Sequence, residues 1–197
     1  MNRTGAPLSD HYPVSSRVSW KLSSAVCLVD PVGGPHRDAF DDIPSIIASS
    51  AAVRKITAIT VRGGNRVDGI SYTVQHANVT STDVTHGGTG GTPVSLSLGL
   101  DEYVTQVQAC SGKHNNTTRV FFLSLVTNRG RTMQAGKTTS ECVVVGVPGD
   151  DAAGGKEWHL VAFWGREGDG MGRVGASKRT NAPPAQIHVH INPSSMM

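Results

Sequence analysis

The chain has no dense run of one charge, no long apolar stretch and few aromatic rings. Basic residues exceed acidic ones by only three, and Arg54, Arg62, Arg66, Arg129, Arg166 and Arg173 are scattered rather than clustered. Nucleic-acid binding needs a concentrated basic footprint, so that class is set aside. No segment reaches the ~20 consecutive apolar residues that a bilayer span requires. The stretch "WKLSSAVCLV" (20–29) is broken by Lys21 and two serines and is followed by no cleavage-like pattern. It reads as a strand, and no signal peptide is evident, which leaves the compartment open. Cys27, Cys110 and Cys142 are odd in number and lack ligand spacing, so neither a disulfide framework nor a zinc site is indicated. At most one internal bridge can form, and reduced, buried thiols are the default.

Helical periodicity is also scarce. Charged residues make up 17%, while 23 glycines and 10 prolines punctuate the chain, a balance typical of β-rich domains. "VRKITAITVRGG", "VDGISYTVQH", "TPVSLSLGL", "EYVTQVQAC", "RVFFLSLVTN", "ECVVVGVPG" and "EWHLVAFWG" are short alternating or β-branched runs separated by turn residues. "FDDIPSII" contains a proline and "ASSAAVRKI" is too short for a convincing helix. The pattern predicts one all-β domain over residues 18–176, preceded by a polar leader (1–17) and followed by a polar tail (177–197) in which "IHVHI" (187–191) reads as a short strand.

Several familiar chemistries fail on context. "GRTMQAGKTT" resembles a phosphate-binding loop, but Ala135 stands where its second glycine belongs and a strand follows instead of a helix. "HGG" at 86–88 resembles an oxyanion loop, yet no G-x-S-x-G nucleophile elbow exists anywhere in the chain. His188 and His190 would share one face of a strand, but two histidines make only part of a metal site. "EGDGMG" lacks the bidentate glutamate of a calcium loop. No nucleophile and base can be paired, so an enzyme is not expected, and neither cofactor nor metal is implied.

Internal repetition is the informative feature. "TVRGGNRVDGISYTV", "VQACSGKHNNTTRVFFLSLV" and "LVAFWGREGDGMGRVGA" each place a glycine-led five-residue turn between strands, at Gly64–Asp68, Gly112–Asn116 and Gly168–Gly172, about fifty residues apart. Glycine-rich loops recur at a similar interval, "PVGGPHRDAFDD" (31–42) and "THGGTGGTP" (85–93), with a third counterpart expected within "MQAGKTTSECVVVGVPG". In "GNRVD" the Asp68 carboxylate and the backbone N–H groups of Arg66 and Val67 share a small concavity. A carboxylate beside backbone donors suits vicinal sugar hydroxyls, which donate and accept in one small volume.

"FDD", "VRGGNRVDGI", "HGGTGG", "TNRGRT" and "LVAFWGREGDGMGRVGA", in this order, resemble the jacalin-related lectins over about residues 26–176. The resemblance implies a β-prism of three four-stranded antiparallel sheets about a pseudo-three-fold axis, with non-catalytic carbohydrate binding and no metal. It further implies that a sugar site joins a G-x-x-x-D turn of one sheet to the last glycine of a glycine-rich loop of the next. On that rule Gly64, Arg66, Val67 and Asp68 pair with Gly90 and Gly91, and this site is intact. The equivalent site built on the third turn has diverged. Gly172 replaces its aspartate, His36 and Arg37 replace the second glycine pair, and a degenerate second site would draw on Gly34, Gly168, Asp169, Gly170 and Met171. The remaining turn ends in Asn116 and carries extra residues, so its site is expected to be inactive.

The family's last strand should be apolar, yet "SKRTNAPPAQ" is polar and carries a Pro-Pro pair. Either "IHVHI" or "AVCLV" fills the gap, or the third sheet frays. Glycans or glycoproteins of mannose or glucose type are the expected partners, and homo-oligomerisation is expected because multivalency supplies avidity to weak single sites. The competing reading is a β-prism that has lost sugar binding and serves as a protein-interaction module.

Overall fold

Each run that the sequence marks by alternation carries a strand in the computed structural model, which describes residues 26–48, 53–145 and 158–180. The first segment holds β1 (Val26–Leu28), β2 (Val32–Gly33), β3 (Asp38–Asp41) and a short helix α1 (Ile43–Ala48). Next come β4 (Val53–Gly63), β5 (Val67–His76), β6 (Ser81–Gly87) and β7 (Thr92–Ser97). β8 (Val104–His114), β9 (Thr117–Thr127), β10 (Thr132–Gly136) and β11 (Glu141–Val145) follow, and β12 (Trp158–Glu167) and β13 (Arg173–Thr180) close the described chain.

The strands form three antiparallel sheets with one repeated order, β6-β5-β4-β7, β10-β9-β8-β11 and β1/β2-β13-β12-β3. In the third sheet one edge position is shared by β1 and β2, which both pair with β13. The sheets thus number four positions each, and the third is assembled from the two ends of the described chain. This is a β-prism I. Alternate residues of the central hairpins point inward, among them Ile59, Val61, Ile70, Val74, Leu123, Leu125, Leu160, Phe163 and Val174, all at most 3% exposed. Burying one such side chain stabilises by about 1.5–3 kcal/mol, and the inward faces of all three sheets meet in a single apolar cluster.

Several elements differ from the expectation. Ile43–Ala48 is helical despite its proline, because Pro44 lies in the first turn, where an N–H has no helical partner. Asp42 starts that helix, its carbonyl accepting from Ile46 N at 2.9 Å. β6 and β10 lie in segments read as a glycine loop and a false phosphate loop; their apolar residues are too few to announce a strand. Among the described residues, the third sheet is completed by "AVCLV", since Val26–Leu28 pairs with Arg179–Ser177. β13 itself runs past Ala176 through Thr180, where polar side chains suffice because the ladder is satisfied by main-chain bonds on both sides. "IHVHI" and the Pro-Pro pair lie outside the described residues. The default of reduced thiols is also overturned. Cys110 and Cys142 stand opposite each other on β8 and β11 and are joined as a disulfide, a proximity created by strand pairing that their separation of 32 residues conceals.

Candidate functional site

In each sheet a crossing loop passes over the end of the central hairpin. The β2–β3, β6–β7 and β10–β11 loops begin with Gly33, Gly87 and Gly136, all at positive φ (117°, 85° and 87°). A Cβ at any of the three would collide with a hairpin carbonyl, of Gly172, Asp68 and Phe121 respectively. The next residue then donates to that same carbonyl: Gly34 N to Gly172 O at 2.9 Å, Gly88 N to Asp68 O at 2.7 Å and Lys137 N to Phe121 O at 2.9 Å. The third glycine-rich loop is therefore Gly136–Ser140, reduced to one glycine. Each loop crosses its own sheet's hairpin, since β6 pairs with β5 and β7 with β4. The expectation that turn and loop come from neighbouring sheets is corrected on this point.

At the β4–β5 turn, Asp68 is brought against the end of "HGGTGG". A Cβ on Gly90 would lie 3.3 Å from Asp68 Cγ, and one on Gly91 would lie 2.7 Å from Asp68 Oδ2. Arg66 Nε donates to Asp68 Oδ1 at 3.1 Å, with the two side chains 25% and 14% exposed, so the guanidinium is spent on its neighbour. Oδ2 accepts no hydrogen bond among the described residues. Gly64 is exposed with open space where a Cβ would stand. Val67 lies wholly in the core. Arg62, unmarked in the sequence, holds the loop by donating from Nε to the carbonyls of Thr89 (2.9 Å) and Gly90 (3.1 Å).

The third turn is packed rather than open. Met171 is fully buried, its N–H donating to Val67 O at 3.1 Å and its carbonyl accepting from Val120 N at 3.0 Å. Gly34 is buried beneath Thr118, whose Cβ would be 3.0 Å from a Cβ added there. Both were placed in a degenerate sugar site, and neither faces solvent. Asp169 is exposed and pairs with Arg37 at 3.1 Å, while Gly168 and Gly170 lie under Arg37 and Arg66. The expected five-residue turn at Gly112–Asn116 is a two-residue turn instead. Gly112 pairs with Arg119 and His114 with Thr117, so strand pairing runs to the tip of the β8–β9 hairpin, and Val120 of β9 packs against the third turn through its bond to the Met171 carbonyl.

The sequence matches the family model for the jacalin-like lectin domain over residues 29–177. The chain belongs to the jacalin-like lectin family. Horcolin from Hordeum vulgare subsp. vulgare is 32% identical over 127 residues, 61% of this chain and 80% of that protein. Secreted RxLR effector protein 19 from Plasmopara viticola is 30% identical over 147 residues, 73% of this chain and 76% of that protein. Among solved structures, a mannose-binding jacalin-related lectin from Ananas comosus superposes with a TM-score of 0.65 at 20% identity, covering 79% of this chain and 98% of its own. Malaysian banana lectin gives a TM-score of 0.66 at 21% identity, covering 80% and 100%.

Membership places this jacalin-like lectin among non-catalytic carbohydrate-binding domains. Its glycine-rich loop is braced by a network that sequence reasoning missed. The His86 ring stacks on Phe40 with centroids 3.8 Å apart. Its Nδ1 lies 2.9 Å from Glu167 Oε1 and its Nε2 2.9 Å from Asp42 Oδ1. Glu167 also accepts from Gly87 N at 2.6 Å, and Tyr72 donates its hydroxyl to Asp42 at 2.5 Å. Burial opposes protonation of His86, but the hydrogen bonds to Asp42 and Glu167, with their charges, outweigh it and hold its pKa above the ordinary imidazole value. Burial first, and then the Asp42 charge, raise the Tyr72 pKa as well. The "HGG" signal marked the loop, but its carboxylate partners come from β12 and the start of α1, too distant in sequence to be paired by inspection.

Proposed function

We propose that the chain binds mannose- or glucose-type glycans at the Asp68–Gly91 site. The observation that carries this reading is Asp68 Oδ2, which accepts no hydrogen bond among the described residues and lies beside two glycines, so that a ring hydroxyl can donate to the carboxylate. The backbone N–H of Gly91 and the exposed end of the turn at Gly64 supply the neighbouring polar surface, and Val67, wholly buried, takes no part. The mannose-binding lectin from Ananas comosus shares the fold, which supports this sugar class. No aromatic ring lies within "GNRVD" to stack on the sugar, so a single site is weak, and self-association to gather several sites is part of the proposal. A glycan array of wild type and Asp68→Ala tests it. Wild type retains mannose- or glucose-terminated glycans and Asp68→Ala loses them. Silence of both proteins overturns the reading and leaves the protein-interaction module.

A further inference from the structure

The third turn, Gly168-Asp169-Gly170-Met171-Gly172, lies beneath three arginines from three separate parts of the chain. Arg37, from the β2–β3 loop, rests on Gly168, its Cδ 3.0 Å from where a Cβ would stand. Arg66, from the β4–β5 turn, rests on Gly170 with Nε at 3.3 Å, and Arg119, from β9, rests on Gly172 with a terminal nitrogen at 3.3 Å. The alternate glycines thus act as seats, each leaving room for one long cationic side chain. A cleft of about 600 Å³ opens over Arg37, Arg66 and Arg119, with His36, His114 and Thr117 also on its walls.

The charges in this cleft are unbalanced. Among the described residues its one carboxylate is Asp169, 85% exposed and already engaged with Arg37. Arg66 is engaged with Asp68. Arg119 is half-buried, and its side chain makes neither a hydrogen bond nor an ion pair among the described residues. Its guanidinium is held below the ordinary arginine value, by burial first and then by the charges of Arg37 and Arg66, with only Asp169 acting the other way. A desolvated cation beside like charges is costly unless an anion answers it. Guanidinium forks match the oxygens of a sulfate or phosphate group, and several forks can share one tetrahedral oxyanion. Arg66 touches both this cleft and Asp68, so the cleft adjoins the sugar site.

We propose that this cleft takes the oxyanion of a sulfate or phosphate ester carried by a saccharide whose neutral ring sits at the Asp68–Gly91 site. The inference rests on the sugar-binding reading for the ring and on Arg119 for the ester. The test measures affinities of wild type, Arg119→Gln and Asp68→Asn for matched mannose oligosaccharides, either neutral, 6-sulfated or 6-phosphorylated. Wild type prefers a charged form over the neutral one by about tenfold or more, and added salt narrows that preference. The two charged arms identify which ester is taken. Arg119→Gln removes the preference and keeps neutral binding, whereas Asp68→Asn weakens the neutral sugar. Equal affinity of wild type for charged and neutral forms overturns the proposal, as does a preference that survives in Arg119→Gln.

Inorganic sulfate separates the two readings. It raises the melting temperature of wild type, relative to equal ionic strength of chloride, and not that of Arg119→Gln. Silent glycans with sulfate protection intact overturn the sugar reading alone, and absent protection in wild type overturns the cleft. Arg119→Lys, which keeps the charge and loses the fork, retains only part of the preference if Arg119→Gln folds poorly. Single-stranded poly(dT) bound as tightly as the sulfated sugar, and lost in Arg119→Gln, overturns the saccharide ester in favour of a general polyanion cleft.

Discussion

Gly91 and Gly64 look alike in the sequence and differ in the fold. Gly91 sits at φ 63°, and a Cβ there would stand 2.7 Å from both Asp68 Oδ2 and the Gly63 carbonyl carbon. Gly64 has no positive φ and no atom within 4 Å of where its Cβ would be. Gly91→Ala is therefore expected to lose at least the ~1–2 kcal/mol of a left-handed non-glycine residue, with sugar binding lost as well. Gly64→Ala should stay within about 0.5 kcal/mol of wild type, as exposed substitutions away from special backbone do. Urea denaturation of both variants checks the contrast. At this scale Asp68 and Gly91 were legible, because a carboxylate and a terminal glycine carry their chemistry in their own identity. Met171, Arg62 and Arg119 were not, since each gains its role from a partner on another strand. Met171 in particular occupies a turn position that the repeat marks as ligand-facing, and packing claims it for the core.

At the scale of elements, the strands were legible wherever alternation was strong and missed where it was weak. β5 reads "VDGISYTVQH" and buries alternate residues, whereas β6 reads "STDVTHG" and is largely exposed on the sheet edge. Turns were the less readable part. In the β8–β9 hairpin, Asn115 and Asn116 both adopt positive φ (48° and 63°), the pattern of a two-residue turn that follows strand twist. Equal spacing of glycines had suggested a longer one. The β5–β6 turn holds a sharper anomaly. Val79 lies at φ 63° and is 73% exposed, so a β-branched residue bears left-handed strain with no packing in return. Asn78 fixes the turn by accepting from Thr80 N at 3.2 Å and Thr80 Oγ1 at 2.6 Å. Val79→Asn, which tolerates this conformation, should raise stability by about 1 kcal/mol and increase the thermal midpoint without altering glycan binding.

For the whole molecule, two charged networks tie the sheets together and set opposite limits on pH. Glu102, between β7 and β8, is buried and accepts from Arg131 Nε and Nη2 at 2.7 and 2.6 Å, from Thr127 Oγ1 at 2.8 Å and from Gly99 N at 3.1 Å. Arg131 also donates to Ser97 O on β7, which links the second sheet to the first. The Arg131 hydrogen bonds lead in lowering the Glu102 pKa to about 2, against the burial that would raise it. A lowered carboxylate pKa means that the folded state holds fewer protons than the unfolded one. This contribution is complete above the ordinary value of 4.5 and is lost as pH falls towards about 2. His86 acts with the opposite sign. Its raised pKa makes the folded state bind the proton more tightly, so its contribution is complete below the ordinary value of 6.5 and fades as pH rises through the folded value. Stability should therefore be greatest between these limits, with a decline on each side that belongs to a different network. Chemical denaturation from pH 2 to 9 tests this in wild type, Glu102→Gln and His86→Gln. Glu102→Gln should flatten the acid decline and leave the alkaline one, and His86→Gln should do the reverse. Because His86 braces the loop that carries Gly90 and Gly91, glycan affinity should weaken along the alkaline decline and not along a change confined to Glu102. Affinity that stays constant across the His86 transition would separate the brace from the binding loop.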